Sequence, residues 1–192
     1  MAGPKILAFA GSLRAGSYNK KLLRTAVQGA REAGGDVTEL DLRDLPMPIY
    51  DADLQAKEGF PANAKRFKEL VRTHAGLLIA SPEYNWGVSG VLKNALDWAS
   101  RAEGKDEQAY AATRGRYAAL MSTAIGIYGG VRGLMQLRLV LTALKVTVLP
   151  DQVAVTSAKD SFNEDGTLKS APIAAEVAAI GGSLAELLAK LA

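Results

Sequence analysis

Short apolar runs alternate along this chain with segments of helical spacing, and that alternation restricts the fold more than any other feature. Lys5–Ala10 (KILAFA) and Gly76–Ser81 (GLLIAS) are too short for helices and show no polar face, as expected of strands covered on both sides in a parallel sheet. Val37–Leu42 (VTELDL) alternates, Tyr117–Ser122 (YAALMS) is again apolar, and Val146–Leu149 stops at Pro150. Between and after these runs, apolar residues recur every three or four positions. The segments are Asn19–Ala33, which Gly34 and Gly35 end, then Pro61–Thr73, Ser89–Arg101, Gly130–Leu144 and Ala171–Leu191. Residues 43–60 hold Pro46, Pro48 and Gly59 and read as a long loop. The pattern predicts an α/β fold: a doubly wound, five-stranded parallel sheet with helices on both faces. Five strands of this kind permit the order 2-1-3-4-5, and 192 residues suit one domain spanning residues 1–192.

Composition removes several chemistries. With no cysteine there are no disulfides, thiol reactions, iron–sulfur clusters or thiolate metal sites. A single histidine, His74, leaves no multi-histidine metal centre, and no metal is expected. Lys and Arg exceed Asp and Glu by 23 to 20, scattered without a basic run, which argues against nucleic-acid binding. The apolar run Ile6–Ala10 is too short for a signal peptide or a membrane span. The expectation is a soluble cytoplasmic protein without membrane insertion.

Three polar loops follow strands and carry the functional signal. Gly11-Ser12-Leu13-Arg14-Ala15-Gly16-Ser17-Tyr18-Asn19 joins the first strand to its helix. A phosphate there would meet free backbone N–H groups and the positive end of the helix dipole. Ser12, Ser17, Asn19 and Arg14 add donors, and arginine makes charge-assisted bonds to phosphate oxygens. Alternatively, Ser17 or Asn19 only caps the helix. The loop lacks both G-x-G-x-x-G and G-x-x-x-x-G-K-[ST], so neither a Rossmann dinucleotide site nor a P-loop is indicated. Asp41, near the end of the second strand, reads as an acid facing water.

Ser81-Pro82-Glu83-Tyr84-Asn85-Trp86-Gly87 follows the third strand. In the order 2-1-3-4-5 the first and third strands flank the topological switch point, where ligands of open α/β sheets sit. Asn85 and backbone N–H groups can edge a planar ligand, with Tyr84 or Trp86 lining it or else covering the core. Leu92 and Trp98 belong to an apolar helix stripe, and Lys93 with Asp97 reads as a surface pair. The third loop, Ser122–Arg132, contains Gly126, Tyr128, Gly129 and Gly130, and lies beside the same crevice. Its glycines allow close backbone approach to a ligand, or make only a flexible connector.

GSLRAGSYNKKLL, SPEYNWGVSGVLKNALDW and STAIGIYGGVRGLMQLR resemble the three signature stretches of the NADPH-dependent FMN reductase family, which includes NAD(P)H:quinone, azo-dye and chromate reductases. The resemblance runs from the first strand to about Pro150. It implies a flavodoxin-like fold that binds FMN. The phosphate would lie on the Gly11–Asn19 loop, including Tyr18, and be held by Ser12, Arg14, Ser17 and Asn19. Pro82, Glu83, Tyr84 and Asn85 would border the isoalloxazine ring. Ser122, Gly126, Tyr128 and Gly129 would flank its other side and the ribityl chain. Ser89 stands where the family usually has proline, which is expected to loosen the start of the following helix without removing the site.

The implied activity is hydride transfer from NADPH or NADH through FMN N5 to a quinone or other small acceptor, in ping-pong order, with no catalytic side chain. Arg14, Arg101 and Arg132 are candidates for a nucleotide 2′-phosphate. The alternative is an electron-carrier flavodoxin without a nicotinamide site, but that family is strongly acidic and this chain is slightly basic. A hydrolase using His74 is disfavoured, because His74 precedes the third strand and so lies at the opposite end of the sheet; it reads as a cap on the Pro61–Thr73 helix. On Gly130–Leu144, Leu134, Leu137, Val140, Leu141 and Leu144 form one apolar stripe, while Val131, Met135 and Leu139 form a second. The second stripe predicts a homodimer or homotetramer, unless residues 43–60 or the C-terminal helix cover it.

Overall fold

The structure is a computed structural model and describes residues 3–192. Its elements are β1 (Lys5–Ala10), α1 (Tyr18–Glu32), β2 (Asp36–Leu40), α2 (Ala52–Glu58), α3 (Ala62–Thr73), β3 (Gly76–Ala80), β4 (Glu83–Tyr84), β5 (Gly87–Val88), α4 (Gly90–Ser100), β6 (Tyr117–Thr123), α5 (Val131–Ala143), β7 (Thr147–Val155), α6 (Ala158–Ser161) and α7 (Ala171–Leu191). The main sheet is all-parallel in the order β2-β1-β3-β6-β7. Counting only the strands of that sheet, this is 2-1-3-4-5, consistent with a flavodoxin-like fold.

The strands sort their side chains between two cores. Ile6, Ala8 and Ala10 of β1 and Leu78 and Ala80 of β3 face α1 and α7. Leu7 and Phe9 of β1 and Leu77 and Ile79 of β3 face α3, α4 and α5. Both faces being covered explains why these strands lack polar positions. Helix α1 lies against α7 closely enough that a Cβ on Gly29 would stand 2.1 Å from the Ala178 carbonyl oxygen, and one on Gly181 would stand 1.9 Å from that of Ala26. Larger residues at either place would push the helices apart. By length and composition alone α7 could cross a membrane. Here Val177, Ile180, Leu184 and Leu188 are core residues packed on the sheet.

The structure corrects several expectations. Strand β7 does not stop at Pro150 but continues to Val155. It is an edge strand, where proline is tolerated, and its register against β6 shifts between the partners of Ala118 and Leu120. Arg138 of α5 braces the irregularity, donating to the carbonyls of Leu149 (2.7 Å) and Pro150 (2.8 Å) and to Gln152 Oε1 (2.7 Å). Residues 43–60 are not all loop. A 3-10 turn covers Leu42–Asp44, and α2 is started by Asp51, whose carboxylate accepts from the N–H groups of Asp53 and Leu54. Helix α2 buries no residue, so it has no apolar stripe to betray it. Strand β2 ends at Leu40 because Asp41 caps the 3-10 turn. Nor does Asp41 face water alone: Lys20 reaches it at 2.6 Å. Burial acts to raise its carboxyl pKa, but the Lys20 hydrogen bond, the Arg43 N–H and both positive charges prevail and hold it below the ordinary value.

Candidate active site

The loops after β1, β3 and β6 converge at one end of the sheet. They line a cavity of about 280 Å³. Ser12, Arg14, Ser17, Tyr18 and Asn19 come from the first loop and the start of α1; Pro82, Glu83 and Tyr84 come from the second; Thr123, Ala124 and Ile125 come from the third. Ala158, at the start of α6, closes the wall. Ala158 is not among the expected site residues: it is a small apolar residue in a long polar segment after β7, and nothing local ties that segment to the loops after β1, β3 and β6.

At the start of α1 the backbone leaves donors free. The first backbone bond of this helix is Lys21 N–H to the Ser17 carbonyl, at 3.2 Å, so the preceding N–H groups have no acceptor within the helix. Ser17 occupies the N-cap position, yet its side chain makes no capping bond. Ser12 Oγ accepts from Arg14 N–H at 3.3 Å, a local turn within the loop. The Arg14 side chain is exposed and makes no ion pair among the described residues. Tyr18 stacks on Phe162 with ring centroids 5.5 Å apart, which pins the segment after β7 beside the cavity.

Asn19 is buried and its amide is engaged: Nδ2 donates to the Thr123 carbonyl at 2.9 Å and Oδ1 accepts from Thr123 N–H at 3.1 Å. It therefore locks the first loop to the third. Ser89, expected to loosen α4, does the reverse. Its hydroxyl donates to the Gly11 carbonyl at 2.7 Å and accepts from Leu92 N–H at 3.4 Å, capping α4 while tying it to the first loop.

The second loop is a β4–β5 hairpin whose two turn residues, Asn85 and Trp86, have φ of 50° and 66°. Tyr84 and Trp86 are both exposed, so neither covers the core, whereas Leu92 and Trp98 are fully buried. Glu83 lines the cavity, yet its carboxylate points along α5: Oε1 accepts from Arg132 at 2.8 Å and Oε2 from Gly133 N–H at 2.8 Å. Ser122 Oγ is buried without a partner beneath Gly130, where φ is 90° and a Cβ would lie 2.0 Å from that oxygen. Gly126, Tyr128 and Gly129 belong to the third loop but do not line this cavity.

The other polar candidates separate from the site. Arg101 ends α4, a helix length from the cavity, and stacks on Tyr50 at 4.4 Å. His74 caps α3, with Nδ1 2.6 Å from the Leu70 carbonyl and Nε2 2.9 Å from Thr38 Oγ1. Lys93 and Asp97 form their surface pair at 2.7 Å.

The family described as NADPH-dependent FMN reductase matches residues 4–160. This chain belongs to the NADPH-dependent FMN reductase family. It is 39% identical over 165 residues to an NAD(P)H-dependent FMN reductase of Pseudomonas aeruginosa, covering 85% of this chain and 84% of that protein. It is 38% identical over 146 residues to a quinone reductase of Escherichia coli, covering 76% and 73%. Among solved structures, the flavoenzyme NAD(P)H:(acceptor) oxidoreductase of Paracoccus denitrificans superposes with a TM-score of 0.80 over 97% of this chain and 98% of its own, at 24% identity. The open end of α1, the uncapped Ser17 hydroxyl and the exposed Arg14 leave a set of free donors at one wall of the cavity.

Proposed function

We propose that this protein is an FMN-dependent NAD(P)H oxidoreductase that passes electrons from NADPH or NADH to quinone-type or other small acceptors. The observation that carries the reading is the convergence of all three sequence loops on one cavity that joins a phosphate-type donor set to a polar and aromatic rim. The names of the relatives support it, one an FMN reductase and another a quinone reductase.

Ser12, Ser17, Arg14 and the first N–H groups of α1 would hold the FMN phosphate. Pro82, Glu83, Tyr84 and Asn85 would border the ring on one side, and the loop Ser122–Gly130 on the other, through Thr123, Ala124 and Ile125. When bound, FMN supplies the hydride-accepting and electron-delivering chemistry. The protein positions and shields: Asn19 and Ser89 fix the spacing of the loops, and exposed Tyr84 and Trp86 give the rim an aromatic surface for flat substrates. Donor and acceptor use this open rim in turn, giving ping-pong order.

The same reading includes a cytoplasmic location, where NAD(P)H is available, and a homodimer or homotetramer, because Met135 and Leu139 of α5 remain exposed.

Purified protein loaded with FMN should lose its visible flavin absorption when titrated with NADPH or NADH without oxygen, and regain it on addition of a quinone. Failure of both nucleotides to bleach a loaded flavin would favour the electron-carrier alternative. Double-reciprocal plots with a quinone should be parallel; intersecting lines would show that both substrates bind together.

A further inference from the structure

Arg132 does not line the cavity, yet it binds two of the three loops that do. It donates to Glu83 of the hairpin at 2.8 Å, across 49 positions of sequence. Its guanidinium lies 4.4 Å from the Trp86 ring centroid and 4.4 Å from that of Tyr128. Trp86 comes from the hairpin turn and Tyr128 from the loop after β6, so one planar cation joins residues of two loops. The Nε atom has no hydrogen-bond partner, which leaves the ring contacts and the Glu83 bond to hold the group. Glu83 is fixed in turn by the Gly133 N–H at the start of α5.

The φ of 66° at Trp86 is that of the two-residue hairpin turn, and the turn leaves the ring exposed where it meets Arg132. Lysine could keep the ion pair but has no flat face to share between two rings.

We infer that Arg132 is a positioning residue: with Glu83, Trp86 and Tyr128 it clips the β4–β5 hairpin to the β6–α5 loop and so sets the width of the slot that receives the flavin ring. The inference rests on the flavin reading above. It assigns Arg132 to the ring, through other residues, and not to a nucleotide phosphate, because Glu83 already neutralises its charge.

The test uses flavin-free protein titrated with FMN and with riboflavin, which shares the ring and lacks the phosphate. Arg132→Met should weaken both by the same factor, about tenfold. Arg132→Lys, which retains the pair with Glu83 and so protects folding, should show nearly the same loss. In the flavin-free variants Trp86 fluorescence should become more open to acrylamide quenching, while buried Trp98 provides an unchanged background. Wild-type riboflavin affinity in Arg132→Met, or full affinity in Arg132→Lys, would overturn the clip. Wild-type protein that takes up neither flavin would instead overturn the flavin reading, and the quenching measurement would still decide whether Arg132 holds Trp86.

Discussion

Asn19 and Thr123 exchange two hydrogen bonds across 104 positions of sequence, the side-chain amide of one pairing with the backbone N–H and C=O of the other. The bond pair joins the first turn of α1 to the end of β6, and both residues are buried at the cavity. Asn19→Ala leaves a buried N–H and a buried carbonyl without partners. We expect a loss of about 2–4 kcal/mol in unfolding free energy, measured by urea denaturation. A variant as stable as the parent would show that water replaces the amide at no cost.

Arg14 behaves differently because it is exposed and unpaired. Arg14→Ala should leave the urea midpoint unchanged and weaken FMN binding roughly tenfold to a hundredfold, the worth of a charge-assisted phosphate contact. Riboflavin binding should not change. Equal losses for the two flavins would place Arg14 against the ring.

Ser89 holds two bonds, one to Gly11 and one to Leu92 N–H, in a fully buried position. Ser89→Ala removes both and should destabilise by about 1–3 kcal/mol. Its φ of −60° is one that proline adopts, and the preceding Val88 is extended in β5. Ser89→Pro loses the same bonds but also restricts the unfolded chain, which returns about 0.4–1 kcal/mol. The proline variant should therefore melt between alanine and wild type. A proline variant less stable than alanine would mean that the ring does not fit beneath Gly11.

The limits of sequence reading lie where distant segments meet. KILAFA and GLLIAS announced themselves because both faces of β1 and β3 are covered, and α7 spans the predicted residues because it has room for a full apolar stripe. The three loops were legible as polar clusters after strands, and the cavity draws on all of them. Pro150 misled because a proline inside an edge strand looks the same in sequence as one that ends it. The turn of Glu83 toward α5, and the contact of Arg132 with Trp86, depend on pairings dozens of positions apart, which leave no local trace.

Acid should loosen the loop between α4 and β6. Glu107 accepts from buried Lys68 and pairs with Arg72 at 2.6 Å; Glu103 lies 3.4 Å from Lys68, which also donates to the Arg101 carbonyl. Burial acts to raise the Glu107 pKa, but the Lys68 hydrogen bond, the Glu103 N–H and the two cations outweigh it, leaving the carboxyl below its ordinary value of 4.5. A depressed folded-state pKa gives stability that is fully present above the unfolded-state value and disappears as pH falls through the folded-state value. Unfolding free energy should thus decline as pH drops below about 4.5, with part of that slope due to Glu107. Glu107→Gln should lower stability at neutral pH and flatten the acid limb. An unchanged acid limb would assign the slope to other carboxylates, Asp41 first among them.

Helix α5 carries the last prediction. Leu134, Leu137, Leu141 and Leu144 are buried against the sheet, as one apolar stripe requires. Met135 and Leu139 are 59% and 67% exposed. Neither candidate cover reaches them. Helix α7 packs on the opposite face of the sheet with α1. The segment after β2 lies over α4, where Pro48 accepts hydrogen bonds from Asn94 and Trp98. Exposed Ile127 and Tyr128, just before α5, extend the apolar surface toward Trp86. A patch of this kind on a folded chain calls for a partner, and the partner of our reading is a second copy. Sedimentation equilibrium at micromolar concentration should give at least twice the chain mass of 20.2 kDa. Leu139→Glu places a charge in the middle of the stripe and should yield a folded monomer, because Leu139 contributes nothing to the buried core. Wild-type protein sedimenting as a monomer would remove the interface, and a Leu139→Glu oligomer identical to the parent would move it to another face.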